Sequence, residues 1–293
     1  MNNPMPTINE SSSRSPRYVV RDPLAENLDA IKTRMRATWE DGDYASFASY
    51  MEPGAIDILR GWRIEPGTRL LDVGCGSGQT AIPAARAGAV VTGVDIAGNL
   101  VAFARERAAR EGLSVRFEQG DAEDLPYGDG EFDVVISMIG AMFAPRPDRV
   151  ASELARVLKP GGLLYMANWT PGGFAASMFK CVGKHVPPPA GVVSPALWGH
   201  EETATERLSY GFTDLELTRR YYPRWTYPFG TAELVEYFRR HFGPVRRAFA
   251  ALNPEGRESL RTDLEQIYAE HNMATDGTTW IRGEFLNVSA TRR

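Results

Sequence analysis

The chain has 293 residues, a formal net charge of −4, and 43% hydrophobic against 24% charged residues. This composition argues against wholesale disorder, and the acidic balance weakens the case for nucleic acid, whose binders carry a basic surplus. No apolar run approaches the roughly 20 residues of a membrane span, and with only Cys75 and Cys181 neither a disulfide framework nor a thiolate metal cluster is expected.

Residues 1–20, rich in Asn, Ser and Pro, read as a disordered tail. The start has no basic region leading into an apolar segment, so no secretory signal is expected and the default compartment is the cytoplasm. Arg21-Asp22-Pro23 supplies a capping Asp before a first-turn Pro. Leu24, Leu28, Ile31 and Met35 then fall on one helical face. A second helix is expected over 44–59, and the two make a cover segment over 21–62.

Strands are expected at 69–73, 90–95, 114–118, 132–137 and 163–168, with helices starting near Gln79, Asn99 and Pro147. Leu100, Phe103, Ala104 and Ala108 share one helical face, and Val150, Leu154, Val157 and Leu158 share another. Such alternation implies an α/β fold, a doubly wound Rossmann-like sheet over 63–224 with right-handed crossovers. After Asn168 the rhythm breaks into a Gly- and Pro-rich stretch containing Pro187-Pro188-Pro189. Two further strands, 212–219 and 285–290, read as the antiparallel edge of the sheet. They complete seven strands, mostly parallel, with an antiparallel last strand in 276–293. Between them, 225–275 reads as a helical insertion of two amphipathic helices. One uses Leu234, Val235, Phe238 and Phe242; the other uses Leu260, Leu264, Ile267 and Tyr268.

The strongest local signal is Asp72-Val73-Gly74-Cys75-Gly76-Ser77-Gly78, which follows a strand and opens a helix. Glycines there let the backbone approach a ligand. Asp95 ends the next strand 21 residues after Gly74, close to the spacing of about 20 for a carboxylate that binds ribose. A nucleoside cofactor is therefore expected across the carboxyl ends of the strands. A dinucleotide turn reads G-x-G-x-x-G, to seat a pyrophosphate. Here the spacing is G-x-G-x-G and position 79 is Gln. Asp72 would repel a pyrophosphate and suits a ligand ammonium. S-adenosylmethionine (SAM) joins an adenosine to an amino acid without phosphate.

Over roughly residues 40–170 the chain resembles the class I SAM-dependent methyltransferases, most closely the small-molecule (type 11) subgroup that includes quinone-ring methyltransferases. Asp72 to Gly78 resembles the family's glycine motif. Asp95-Ile96 resembles its ribose acid and adenine-packing residue. Gly120-Asp121-Ala122-Glu123-Asp124-Leu125-Pro126-Tyr127 resembles its segment after the third strand, and Arg156-Val157-Leu158-Lys159-Pro160-Gly161-Gly162 its entry into the fifth. The resemblance implies cofactor contacts from Asp72, Gly74, Cys75, Gly76, Gly78, Asp95, Ile96, Asp121, Ala122, Ser137 and Met138, with Tyr44 as the favoured cover residue. The implied reaction is in-line transfer of methyl from SAM to O, N or C of a small organic acceptor, leaving S-adenosylhomocysteine (SAH).

Several specialised chemistries lack their motifs. No Pro-Pro-aromatic sequence follows Ser137, neither cysteine follows a Pro, and Ser137 and Asn168-Trp169 stand where a Mg²⁺ cage would need acids. No metal is expected. Cys75 reads as a small packing residue more than as an activated thiol. Trp39, Tyr44, Tyr50, Phe143, Trp169 and Trp198 are candidates to face a sulfonium or to fill core. Of the four histidines, His200 is the candidate base for an acceptor that keeps its proton, and His241 reads as interfacial. Acceptor choice is expected to lie in 170–205 and 225–275. Two alternatives stand beside this reading: a non-catalytic SAM-binding regulatory module, and an NAD(P)-dependent oxidoreductase, which would need glycine at position 79. The expected partner is a small-molecule acceptor, with no nucleic acid and no membrane span.

Overall fold

The computed structural model describes residues 27–293; the expected tail and the helix start at Arg21-Asp22-Pro23 lie outside the described residues. Three helices come first, α1 (Leu28–Trp39), α2 (Tyr44–Ser49) and α3 (Glu52–Leu59). Asp43 caps α2 by accepting the Ser46 amide at 3.0 Å. The single helix expected over 44–59 is broken at Tyr50-Met51. Pro53 lacks the amide a helix interior requires, and it sits in the first turn of α3, where that amide is not needed.

The alternating region follows as β1 (Arg69–Val73), α4 (Ala81–Arg86), β2 (Val90–Asp95), α5 (Gly98–Arg110), β3 (Arg116–Gln119), β4 (Phe132–Met138), α6 (Pro147–Val157) and β5 (Leu158–Trp169). Next come α7 (Phe174–His185), α8 (Glu201–Leu208), β6 (Phe212–Tyr221), β7 (Thr226–Tyr227), α9 (Thr231–His241), α10 (Gly243–Ala251), α11 (Pro254–Glu270), β8 (Thr279–Trp280) and β9 (Glu284–Arg292). The main sheet has seven strands in the order β3-β2-β1-β4-β5-β9-β6. β9 slots between β5 and β6 and runs antiparallel to both. The edge strand β6 therefore runs parallel to β5, and of the two strands read as an antiparallel edge only the last has that direction. The central strands carry the apolar core. Leu70, Leu71, Val73, Val135, Ile136 and Leu164 are all fully buried, as strands covered on both faces require.

Two helical segments differ from expectation. The Gly- and Pro-rich stretch after β5 contains α7, which buries Phe174, Ala175, Met178 and Cys181. The insertion holds three helices, because the chain turns at Phe242-Gly243 and starts α10. A Cβ on Gly243 would lie 1.9 Å from the Thr38 carbonyl oxygen, so α10 begins against the end of α1. The N-terminal helices and the insertion thus pack as one cap. The Phe47 and Phe242 rings stack with centroids 4.6 Å apart, and the Tyr237 hydroxyl donates to the Ser46 carbonyl at 2.8 Å. No helix of the described residues is long and apolar enough to cross a membrane.

Candidate active site

The strand order reverses between β1 and β4, which opens a crevice at the carboxyl ends of these strands. Gly74, Gly76 and Gly78 all have positive φ, at 74°, 53° and 87°, a region that favours glycine. Gly74 also backs onto Gly140 after β4, where an added Cβ would stand 2.6 Å from the Gly140 Cα. The ends of β1 and β4 therefore meet backbone to backbone. Ile139 holds φ at 54°, an outlier for a β-branched residue, with its amide bonded to the Ala167 carbonyl at 2.8 Å.

Two carboxylates flank the turn. Asp95 Oδ2 accepts the Gly76 amide and Oδ1 accepts the Ala97 amide, each at 2.9 Å. Burial pushes its pKa up while these amides pull it back. Asp72 is fully buried. Its Oδ2 accepts the Thr80 hydroxyl, and its Oδ1 has no hydrogen-bond partner. Burial pushes the Asp72 carboxyl up to about 7, with the Thr80 bond opposing and Asp95 adding. A buried carboxylate beneath a glycine turn, held by the Thr80 hydroxyl and eased by the Ala81 amide but, among the described residues, by no cation, fits a ligand ammonium and would repel a phosphate.

Two cavities meet at this turn. The first is lined by Asp95, Ile96, Leu100, Asp121 and Ala122. The second is lined by Cys75, Met138 and a ring of aromatics that includes Phe47, Trp169, Tyr222 and Trp225. Trp39, Tyr44, Gly74, Gly76, Ile139 and Phe143 line both. No Asp, Glu, Lys, Arg or His lines the aromatic cavity. Over the first cavity, Lys32 of α1 places its Nζ 2.5 Å from Asp121 and 2.6 Å from the buried Glu123, fastening the cap to the loop after β3.

Tyr44, Gly74, Cys75, Gly76, Asp95, Ile96, Asp121, Ala122 and Met138 thus converge on the crevice, whereas Asp72 lies beneath it, fully buried and lining neither cavity. Gly78 does not line either cavity; its Cα packs on Ile82, where a Cβ would come within 2.9 Å. Ser137 is spent within the scaffold, donating to the Val73 carbonyl at 2.7 Å and accepting the Ala141 amide at 2.9 Å. His200 lies at the start of α8 with Nδ1 3.0 Å from the Thr203 hydroxyl, and it lines neither cavity. Tyr50 packs on Tyr227 within the cap, Trp198 lies under Arg207, and His241 stacks on Tyr237. Burial, with Asp95 and Asp72 nearby, raises the Cys75 thiol well above its ordinary pKa, which suits packing and not nucleophilic attack. The sequence reading missed Lys32, Ile139, Tyr222 and Trp225. An Ile at positive φ leaves no mark in a pattern of residue types, and the aromatics after β6 lie about 150 residues beyond the glycine turn they face.

The methyltransferase domain family (Methyltransf_11) matches residues 71–166. The protein Rv1405c of Mycobacterium tuberculosis (strain H37Rv) is 35% identical over 275 residues, 93% of this chain and 99% of that one. Methyltransferase GfsG of Streptomyces halstedii is 42% identical over 160 residues, 50% of this chain and 57% of that one. Among solved structures, the cyclase SpnF superposes with a TM-score of 0.52 at 27% identity, covering 80% of this chain and 79% of that one. With these likenesses beside the glycine turn and the strand order, the chain belongs to the class I SAM-dependent methyltransferases.

Proposed function

We propose that the first cavity takes the adenosine of SAM, and that the aromatic cavity takes an uncharged, largely apolar acceptor. The observation that carries this reading is the shared wall. One cavity presents carboxylates, its neighbour presents none, and Gly74 and Gly76 line both. SAM, when bound, supplies a methyl group already activated on a sulfonium. In this reading Asp72 holds the amino-acid end, Asp95 the ribose, and Ile96, Asp121 and Ala122 the adenine. Tyr44 and Trp39 close the seam between the cavities, while Cys75 and Met138 supply apolar lining. Gly78 and Ser137 hold the turn and the end of β4 in place.

The chain's part in the transfer is alignment, exclusion of water and stabilisation of positive charge. Alignment of reacting groups is worth up to about 7–11 kcal/mol in favourable cases. The aromatic walls favour a cationic centre as charge moves onto the acceptor. They offer no base. Burial raises the Tyr44 and Tyr222 hydroxyls above the ordinary tyrosine range, so both keep their protons at neutral pH. The acceptor is then a nucleophile that needs no deprotonation by the protein, and His200 has no role in it. The same lack of carboxylates leaves nothing in the aromatic cavity to cage Mg²⁺. A cytoplasmic setting, where the cofactor is supplied, completes the reading.

Calorimetric titration with SAH, with NAD in a parallel cell, tests the cofactor assignment; SAH alone is expected to bind, and NAD binding alone would overturn it. Incorporation of label from methyl-labelled SAM across an acceptor panel tests the second cavity. Uncharged apolar acceptors should be labelled, and labelling confined to carboxylates or phosphates would sink the acceptor class. SAH binding with no acceptor ever labelled would favour the regulatory alternative.

A further inference from the structure

Away from the crevice, α7 and α11 bring together Cys181, His185 and Asp263. Cys181 and His185 are at i and i+4 on α7, so their side chains leave the same face of the helix. Asp263 arrives from α11. The two helices are packed through Tyr268, whose ring centroid is 5.3 Å from that of Phe174 and whose hydroxyl is 3.5 Å from Met178 Sδ. One ligating atom from each of the three residues lies within 4.8 Å of the other two. His185 Nε2 is 2.8 Å from Asp263 Oδ2. The cysteine is buried, the imidazole is 14% exposed and the carboxylate 45% exposed, so the group is walled by protein on the sulfur side and open to solvent on the carboxylate side.

A sulfur, an imidazole nitrogen and a carboxylate oxygen form a donor set suited to zinc. Calcium and magnesium demand oxygen donors throughout. Zinc bonds of about 2.0–2.3 Å put the ligand atoms somewhat closer together than the widest separation here, a difference that side-chain rotation can close. The open side leaves room for a solvent molecule as fourth ligand.

We propose that Cys181, His185 and Asp263 form a zinc site that clamps the insertion to α7. None of the three lines either cavity, so the ion has no part in methyl transfer. Its effect is mechanical. Ala175, Met178 and Phe179 of α7 line the aromatic cavity, and a metal link one turn further along holds α11 against that wall. As the metal bonds form, the thiol proton leaves to solvent, and the proton that His185 Nε2 shares with Asp263 leaves to solvent or moves to Nδ1, so that the 2.8 Å hydrogen bond gives way to two metal bonds. The site stands on these contacts alone and does not depend on the methyl-transfer reading.

The test uses the full chain stripped with chelator and titrated with Co²⁺, followed by displacement with Zn²⁺. The expected result is one ion per chain, a sulfur-to-cobalt charge-transfer band in the near ultraviolet, and a higher Tm with Zn²⁺. Cys181→Ser should abolish the band. Asp263→Asn, a change at an exposed carboxylate that leaves the core intact, should weaken binding by more than the 10–100-fold typical of losing an outer-shell partner (about that range in known sites). Far-UV circular dichroism checks that both variants are folded. Absence of the band, or equal affinity in wild type and Asp263→Asn, would overturn the proposal and leave an ion pair beside a packed cysteine.

Discussion

Asp72 is a buried acid whose ionisation the fold resists. In the folded chain it keeps its proton up to about pH 7, whereas its ordinary value is 3.8. Between those values the folded state binds more protons than the unfolded one, so this group's contribution to stability falls as pH rises from about 4 to 7. A ligand ammonium reverses the effect by pairing with the ionised form. SAH is therefore expected to bind more tightly at pH 8 than at pH 6, and to raise the Tm more at pH 8. Asp72→Asn should flatten that pH dependence and weaken SAH binding at pH 8 by about 1.5–3 kcal/mol, the worth of a charge-assisted hydrogen bond. Calorimetry on both proteins at the two pH values decides it, and an unchanged slope in the variant would remove Asp72 from the cofactor site. Tyr44 contributes a ring, with Trp39 5.8 Å away and Phe47 5.6 Å away between centroids. Tyr44→Ala should cost about 1–2 kcal/mol of SAH affinity, while Tyr44→Phe should bind almost as well as wild type. Equal affinity in Tyr44→Ala would end its role as cover.

Gly243 shows how one position joins two elements. Its added Cβ would meet the Thr38 oxygen at 1.9 Å and the Asp41 oxygen at 2.9 Å, both backbone atoms that cannot rotate away. Gly243→Ala should therefore push α10 off α1 and destabilise the protein by about 1–3 kcal/mol, as overpacking does. SAH affinity should fall as well, because α1 carries Lys32 and Trp39. Gly172→Ala, where nothing lies within 4 Å of the added atom, is the matched control and should stay within about 0.5 kcal/mol of wild type. Thermal denaturation of the two variants reads the difference. The same elements show how far sequence patterns reach. β1 and β2 run over the residues expected for them, since buried parallel strands next to a glycine turn announce both ends. β5 begins at Leu158, five residues before its expected start, because its first residue pairs with Phe132 before a register shift. Pro160-Gly161-Gly162 masks that pairing. Nothing in the sequence marks α7 as a helix, because its flanking glycines and prolines outweigh its own apolar face, part of which packs on Tyr268 of α11.

The cap has consequences for the whole molecule. Its N-terminal half and its insertion are held together by Phe47–Phe242 stacking and by the Tyr237 hydroxyl on Ser46, and the Tyr222 hydroxyl just before the insertion bonds the Met51 carbonyl at 2.9 Å. Segments 170–205 and 225–275 remain our proposed seat of acceptor choice, but neither is independent of α1 to α3. A chimera exchanging 225–275 alone with a relative of different acceptor preference should lose stability, and one that also exchanges 27–62 should recover it and take the donor's acceptor. Retention of the original acceptor in the double exchange, measured by label transfer, would place specificity elsewhere. SpnF adds a warning at this scale: a chain named as a cyclase superposes on this one, so the fold alone does not fix the reaction.

The proposed cofactor half of the site is the part that local spacing marks. Asp72, the glycines and Asp95 sit on adjacent strand ends, where a short-range spacing maps directly onto a spatial one because β1 and β2 are neighbours in chain and sheet alike. The proposed acceptor half is legible only in part: Trp39, Tyr44, Phe143 and Trp169 line the aromatic cavity, but nothing local marks Tyr222 and Trp225 as their partners. Tyr222 and Trp225 meet Phe47 and Trp39 across the cavity only once β9 has inserted between β5 and β6 and carried the insertion back over the sheet. The same holds for Cys181, His185 and Asp263. The i and i+4 pair on α7 is written in the chain, but Asp263 lies 78 residues beyond His185, and no local periodicity records which helix face will be its neighbour. Local pattern sets period, turn and strand end, because these depend on residues a few positions apart. Packing between distant segments sets the cavity walls, because it depends on shape and burial that emerge only when those segments meet.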